Sequence, residues 1–190
     1  MKIGLFFGSF NPIHTGHLVI ARYMATFTEL EKVWLIVSPH NPLKDPAGLI
    51  NMYDRLEMAK LATEGDDCIE VSDIELNLPR PSYTIDTLTH LAERYPQHEF
   101  SIIMGEDNLG SFKKWKNYEL ILRDYSVRVY PRPNARPHEF ADHPSVHFTD
   151  TPQMDISSTF IRKAIHDGKS PRYFLPDAVL EFIDAKRLYR

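Results

Sequence analysis

The chain has 190 residues, of which 43% are hydrophobic and 25% are charged, and its formal net charge at pH 7 is −4. This length and composition predict one soluble α/β domain with a full-sized core, and the acidic balance argues against a protein that coats nucleic acid. Cys68 is the single cysteine, which excludes an internal disulfide and a cysteine-rich metal site.

Strand and helix patterns alternate along the chain. Buried strands are predicted at residues 2–7, 33–37, 69–71, 100–104, 126–130 and 146–148. Helical spacing begins near Leu18 and recurs at 52–62, 85–92, 158–167 and 177–186, whereas the proline-containing stretches 40–46 and 131–144 are predicted loops. Strands separated by helices indicate βαβ units, so the predicted fold is a single Rossmann-like α/β domain with a doubly wound, mostly parallel sheet.

Notable polar residues follow the carboxyl ends of the predicted strands. An open parallel sheet binds its ligands outside those ends. We therefore expect the segments after Phe7, Val37, Met104 and Tyr130 to share one cleft.

The first of these segments, residues 8–17, reads Gly-Ser-Phe-Asn-Pro-Ile-His-Thr-Gly-His at a strand-to-helix junction. A helix N-terminus offers N–H groups and positive potential to phosphate. His14 and His17 are three residues apart, on one helix face if the helix starts by His14, and Gly16 lets a ligand approach the backbone. The segment lacks the glycine spacing of dinucleotide and Walker loops. Taken alone, either histidine could merely cap the helix, and no third ligand for a metal is evident nearby.

These ten residues resemble the Gly-Ser/Thr-Phe-Asn/Asp-Pro-x-His-x-Gly-His signature of the nucleotidyltransferase superfamily. The resemblance implies that both histidines contact ATP phosphates. By position, His17 would stabilise charge on the α-phosphate and His14 would support it. The resemblance also implies ATP binding by residues of the same segment, namely Gly8, Ser9, Phe10 and Gly16.

A second segment, residues 156–162, reads Ile-Ser-Ser-Thr-Phe-Ile-Arg and resembles the Ile-Ser-Ser-Thr-x-Ile-Arg motif of the same superfamily. Ser157 or Ser158 can cap a helix whose N–H groups face an anion, with Thr159 beside them. Arg162 lies one turn along and can offer its guanidinium to phosphate oxygens. An ordinary capped amphipathic helix with a solvated arginine is the alternative.

The segment 81–88, Pro-Ser-Tyr-Thr-Ile-Asp-Thr-Leu, resembles a block of the bacterial nicotinate-nucleotide adenylyltransferases. A helix beginning at Ser82 or Thr84, with Tyr83 between them, could hold the pyridine carboxylate through its N–H groups. A plain helix cap with Tyr83 on the surface is the alternative. The resemblance assigns Trp115, which is flanked by lysines, to stacking on the pyridine ring, whereas Trp34 is predicted to be core.

Three further residues are assigned by resemblance. Asp107, two residues after Gly105, matches a Gly-x-Asp pattern that holds the nucleotide, although aspartate is also a common helix cap. Lys44 would touch phosphate, but Leu43 replaces the histidine of the family pattern, and a solvated lysine is the alternative. Arg132 matches an arginine after a late strand and would bind the mononucleotide.

The resemblance implies adenylyl transfer from ATP to nicotinate mononucleotide, with Mg²⁺ arriving on the triphosphate, no resident protein metal, and the helices of about 157–190 closing the ATP site. The same chemistry on another acceptor, such as phosphopantetheine, and a non-catalytic nucleotide-binding domain are the alternatives. The apolar N-terminal stretch is too short for a signal peptide and no run reaches about 18 apolar residues, so we expect a cytoplasmic protein with no membrane or nucleic-acid partner. The oligomeric state stays open, a homo-oligomer included.

Overall fold

A computed structural model describes residues 1–39, 48–79, 81–133 and 139–190. The described strands are β1 (Lys2–Gly8), β2 (Lys32–Val37), β3 (Ile69–Ser72), β4 (Glu99–Gly105), β5 (Ser126–Tyr130) and β6 (Val146–Phe148). They form one sheet in the order β3-β2-β1-β4-β5-β6, and every pairing is parallel. The prediction of a Rossmann-like sheet is confirmed.

The described helices are α1 (Thr15–Phe27), α2 (Met52–Ala62), α3 (Thr84–Arg94), α4 (Glu106–Leu109), α5 (Tyr118–Asp124), α6 (Ser158–His166) and α7 (Asp177–Lys186), with 3-10 turns at Ile74–Leu76 and Phe112–Lys114. Helix α1 starts three residues before the predicted Leu18, because His14 is its N-cap. The sequence patterns missed α4 and α5, which are too short to show a 3.6-residue repeat.

The sheet is covered on both faces. Along β1, Ile3 and Leu5 pack into one core while Phe6 packs into the other, as the two-residue repeat of a strand requires. Helices α3 and α5 contribute to the first core, and helices α1, α2, α6 and α7 contribute to the second. This division makes the fold doubly wound. Among the described helices, none is both long enough and apolar enough to cross a bilayer.

The strand order reverses at β1, which pairs with β2 on one side and β4 on the other. A doubly wound sheet opens a crevice at such a reversal, outside the carboxyl ends of the strands. Gly8 ends β1 and Gly105 ends β4. The first signature and the Gly-x-Asp pattern therefore begin on opposite sides of the same crevice.

Candidate active site

A cavity of about 380 Å³ opens at this crevice. It is lined by residues from both halves of the sheet and from the start of α3. Of the predicted site residues, those in its wall are Gly8, Ser9, Ser82, Tyr83, Thr84, Gly105 and Trp115. The expectation of one shared cleft is confirmed for the segments after Phe7, Val37, Met104 and Tyr130, because Gly8, Ser38, Gly105 and Tyr130 all lie in its wall.

The two histidines of the first signature stack on each other, with their ring centroids 3.7 Å apart. The backbone N–H of His14 donates to Nδ1 of His17 at 3.2 Å. Nδ1 of His17 is therefore an acceptor, and the neutral ring carries its proton on Nε2. Phe10 and Phe6 surround the His17 ring edge-on, with centroids 5.1 and 6.0 Å away. His17 is thus an oriented N–H donor in a partly apolar setting.

Burial, and to a smaller extent the nearby positive charge of Arg132, together lower the pKa of His14 from 6.5 to about 4. His14 is 5% exposed. The neutral form of His14 therefore dominates at neutral pH, and the pair avoids placing two positive charges in stacked rings.

We expect the free energy of unfolding to fall by up to about 3 kcal/mol through His14 as the pH drops from about 6.5 to about 4. In this window the unfolded chain binds a proton at His14 and the native chain does not, so acid favours unfolding. Urea unfolding at pH 7, 5.5 and 4.5 measures the effect. The variant His14→Asn keeps a capping side chain and should show a shallower pH slope than wild type. His166 is exposed, so His166→Asn is the control and should keep the wild-type slope. If His14→Asn also keeps the wild-type slope, His14 is not the titrating group.

Close contacts with neighbouring rings explain why the first signature has glycine at positions 8 and 16. A Cβ on Gly8 would lie 2.8 Å from the Phe10 ring, and a Cβ on Gly16 would lie 3.1 Å from the His14 ring. Phe10 has a φ of 45°, which turns its ring back under Gly8. Gly8 therefore makes room for the ring of Phe10, which packs on His17, and Gly16 makes room for the ring of His14.

The two signature segments contact each other. The Ser158 hydroxyl donates to the carbonyl of Pro12 at 2.9 Å, and Nη1 of Arg162 donates to the carbonyl of Asn11 at 2.8 Å. Ser157 is the N-cap of α6 and accepts from the N–H of Phe160, and Thr159 accepts from Arg162 at 3.4 Å. Helix α6 is thereby anchored beside the start of α1.

One N–H of the α1 N-terminus already has a partner within the chain. The N–H of Thr15, the first residue of α1, donates to the carbonyl of Phe174 at 2.9 Å. The sequence predicts that the N-terminus of α1 offers its N–H groups to a phosphate. This bond shows that the segment before α7 occupies part of that N-terminus.

The far end of the cavity carries the residues predicted for the pyridine. Thr84 is the first residue of α3, and the hydroxyl of Ser82 is buried without a hydrogen-bond partner among the described residues. Trp115 packs against the fully buried Phe112, with centroids 5.2 Å apart. Lys116 lies 4.8 Å from the centroid of the Tyr83 ring. An indole plane, a helix N-terminus and the side chain of Lys116, whose Nζ pairs with Asp86 of α3 at 2.8 Å, therefore face one space.

Arg132 and Asp107 lie together on the other side of the crevice. Nε of Arg132 is 3.7 Å from Oδ1 of Asp107, and the guanidinium stacks 5.1 Å from the centroid of the Tyr130 ring. Its charge acts on His14. The assignment of Arg132 to mononucleotide binding stays a prediction. Lys44 and the loop around it lie outside the described residues.

Sequence reasoning missed two buried polar side chains and one half-buried tyrosine near the site. Arg55 is fully buried and donates to the carbonyls of Ser9 and Ser38 at 2.6 and 2.7 Å. Glu75 lines the cavity at 2% exposure, and Tyr189 contacts the first signature from the chain terminus. Of the three, only Arg55 could have been identified from the sequence, because it falls on the apolar face of α2 and its burial is therefore expected.

Comparison with known proteins defines the class. The cytidylyltransferase-like family model matches residues 5–164. Relatives curated as "Probable nicotinate-nucleotide adenylyltransferase" include one from Flavobacterium johnsoniae, 52% identical over the whole of both chains, and one from Cytophaga hutchinsonii, 48% identical over 100% of this chain and 98% of its own.

A solved structure shares the fold. The Plasmodium falciparum nicotinic acid mononucleotide adenylyltransferase complexed with NaAD superposes with a TM-score of 0.82 at 18% identity, over 99% of this chain and 97% of its own. The fold and the crevice thus define a nucleotidyltransferase of the cytidylyltransferase-like type. Within that class, the chain belongs to the nicotinate-nucleotide adenylyltransferase family.

Proposed function

We propose that this chain transfers the adenylyl group of MgATP to nicotinate mononucleotide, giving deamido-NAD and pyrophosphate. The observation that carries the proposal is the meeting of the two signature segments beside a cavity with an indole at its far end. The names of the full-length relatives support the same reaction.

In the proposed reaction, a phosphate oxygen of nicotinate mononucleotide attacks the α-phosphorus of ATP in line. The bond from the α-phosphorus to the bridging oxygen breaks, and pyrophosphate leaves with the electron pair. No protein nucleophile takes part, so the chain's contribution is to hold two anions together and to stabilise the charge that develops. The Nε2–H of His17 would donate to an α-phosphate oxygen, with neutral His14 stacked behind it.

The remaining cationic groups would hold the phosphates. We assign Arg162 to this role for ATP and Arg132 to the mononucleotide, with Lys44 as a third candidate on the basis of the sequence alone. The hydroxyls of Ser158 and Thr159, the loop from Gly8 to Phe10, Gly16, Gly105 and Asp107 would complete the ATP site. Helices α6 and α7 would close it.

Mg²⁺ is proposed to enter as part of MgATP. Among the described residues, metal-ligand spacing occurs at Asp66, Asp67 and Cys68, directly before β3 at the amino edge of the sheet. Arg22 pairs with both carboxylates there, at 3.1 and 3.3 Å. These residues do not suit a catalytic metal, because they lie at the edge opposite the cavity and their carboxylates already neutralise an arginine.

The start of α3 is proposed to select the acid over the amide. A carboxylate gains from helix N–H groups and from the positive end of the macrodipole, whereas a carboxamide carries no charge to stabilise. Ser82, Tyr83 and Thr84 supply this end of the cavity, and Trp115 supplies the stacking surface. We expect kcat/KM to be about 10- to 100-fold higher with nicotinate mononucleotide than with nicotinamide mononucleotide, because one hydrogen bond to a charged group contributes about that factor.

Pyrophosphate release tests the proposal. The enzyme is supplied with MgATP and, separately, with nicotinate mononucleotide, nicotinamide mononucleotide or phosphopantetheine. We expect the largest kcat/KM with nicotinate mononucleotide. A larger value with phosphopantetheine would assign another acceptor, and binding of ATP without release from any acceptor would indicate a non-catalytic domain.

A further inference from the structure

The segment Ser9–Pro12, here called the triphosphate loop, is held at its carbonyls by side chains from two distant parts of the chain. Nη1 of Arg55 on α2 donates to the carbonyl of Ser9, and Arg162 and Ser158 on α6 hold the carbonyls of Asn11 and Pro12. Three of its four carbonyl oxygens thus have side-chain donors. In a trans peptide, C=O and N–H point in opposite directions, so the Arg55 and Ser158 bonds also orient the N–H groups of the residues that follow Ser9 and Pro12.

The end of the chain supplies a further contact. The hydroxyl of Tyr189 donates to Oδ1 of Asn11 at 2.8 Å, and Nδ2 of Asn11 donates to the carbonyl of Gly48 at 2.9 Å. Asn11 is 5% exposed. Its side chain therefore bridges the chain terminus and the segment that leads into α2.

The turn after α7 directs Tyr189 towards this bridge. Arg187 adopts a left-handed conformation with a φ of 53°, and the N–H of Leu188 returns to the carbonyl of Ile183. This pattern reverses the chain at a helix end. Lys186 pairs with Asp54 of α2 at 2.6 Å and fixes the same end of α7.

Tyr189 lies close to both guanidinium groups that hold the loop. Burial raises the pKa of the Tyr189 phenol, and the positive charges of Arg162 and Arg55 lower it by a smaller amount. The phenol is therefore neutral at neutral pH and keeps the proton that it donates to Asn11. The described acceptors of Arg55 are backbone carbonyls, at Ser9, Ser38, Pro39 and Ile50.

We propose that Tyr189 is a positioning residue for ATP, which acts through the side chain of Asn11 to fix the triphosphate loop. This inference rests on the proposed function, because it takes the loop to be the ATP side of the site. Tyr189 does not touch the substrate in this account. Through this contact, packing of the chain terminus fixes the triphosphate loop, and the loop in turn positions the α-phosphate of ATP.

The variant Tyr189→Phe removes one hydroxyl and leaves the ring packing in place. We expect the Kd for MgATP, measured by calorimetry, to rise about 2- to 10-fold, the contribution of one neutral hydrogen bond. The KM for nicotinate mononucleotide should stay within about twofold. Tyr53→Phe on α2 is the matched control, because Tyr53 is 67% exposed and its loss should leave both constants unchanged.

A double-mutant cycle with Asn11→Ala separates positioning from general stability. If Tyr189 acts through Asn11, the double variant should bind MgATP no more weakly than Asn11→Ala alone. An MgATP affinity of Tyr189→Phe equal to that of Tyr53→Phe would overturn the proposal, as would additive losses in the cycle. Calorimetry with MgATP needs no acceptor, so a chain that binds MgATP without turnover would contradict the proposed function and still decide the role of Tyr189.

Discussion

Replacing His17 by alanine is expected to lower kcat about 10²- to 10³-fold, while the KM for nicotinate mononucleotide stays within about twofold. The reason is that the Nε2–H of His17 is an oriented donor, fixed by the His14 N–H on Nδ1 and by the surrounding aromatic rings. Such a donor stabilises the charge that develops on the α-phosphate in the transition state and stabilises the ground state much less. Steady-state kinetics with pyrophosphate release measures both constants.

Two further variants sharpen this test. His17→Asn offers a shorter N–H donor and should recover part of the rate, whereas His166→Ala, an exposed histidine on α6, should behave as wild type. A His17→Ala enzyme with near-normal kcat would remove His17 from catalysis. A large rise in the KM for nicotinate mononucleotide at constant kcat would instead assign it to substrate binding.

Replacing Trp115 by alanine is expected to raise the KM for nicotinate mononucleotide about 10- to 100-fold with little change in the KM for ATP. Stacking of a base on an aromatic side chain is worth about 1–3 kcal/mol. The indole is already oriented, because it packs on the buried Phe112 in the cavity wall. The loss should therefore fall on binding of the pyridine nucleotide.

The variant Trp115→Phe keeps an aromatic face and should lie between wild type and Trp115→Ala. Thermal unfolding of both variants gives the control for packing, because Trp115 is half-buried against the core. An unchanged KM with a lowered unfolding temperature would reassign Trp115 to packing.

Most of the architecture could be predicted because strand and helix periodicities are local properties. The predicted strand at residues 2–7 corresponds to β1 (Lys2–Gly8), and the predicted strand at 146–148 was placed correctly although only three residues long. Trp34, predicted to be core, is only half-buried and packs at the edge of the core against Tyr95 and Phe100. The helices that were missed are those too short to complete two turns.

The candidate site was predicted mainly where motifs lie at strand ends. Ser82 and Thr84 lie about 30 residues before Trp115 in the sequence, yet all three line one cavity because their segments meet at the same edge of a parallel sheet. Arg132 shows the limit of this reasoning. Its position after β5 follows from the sequence, but the direction of its side chain, towards Asp107 and the Tyr130 ring, does not.

The sequence by itself determined the fold class, the strand ends that carry the site and the family to which the chain belongs, because each depends on local patterns. Only the tertiary structure decided that Arg55 and Tyr189, from α2 and the chain terminus, hold the segment between β1 and α1. Neither residue belongs to a motif identified in the sequence. Their hydrogen bonds join residues 46 and 178 positions apart, and the distance in space between such residues is fixed by packing rather than by spacing along the chain.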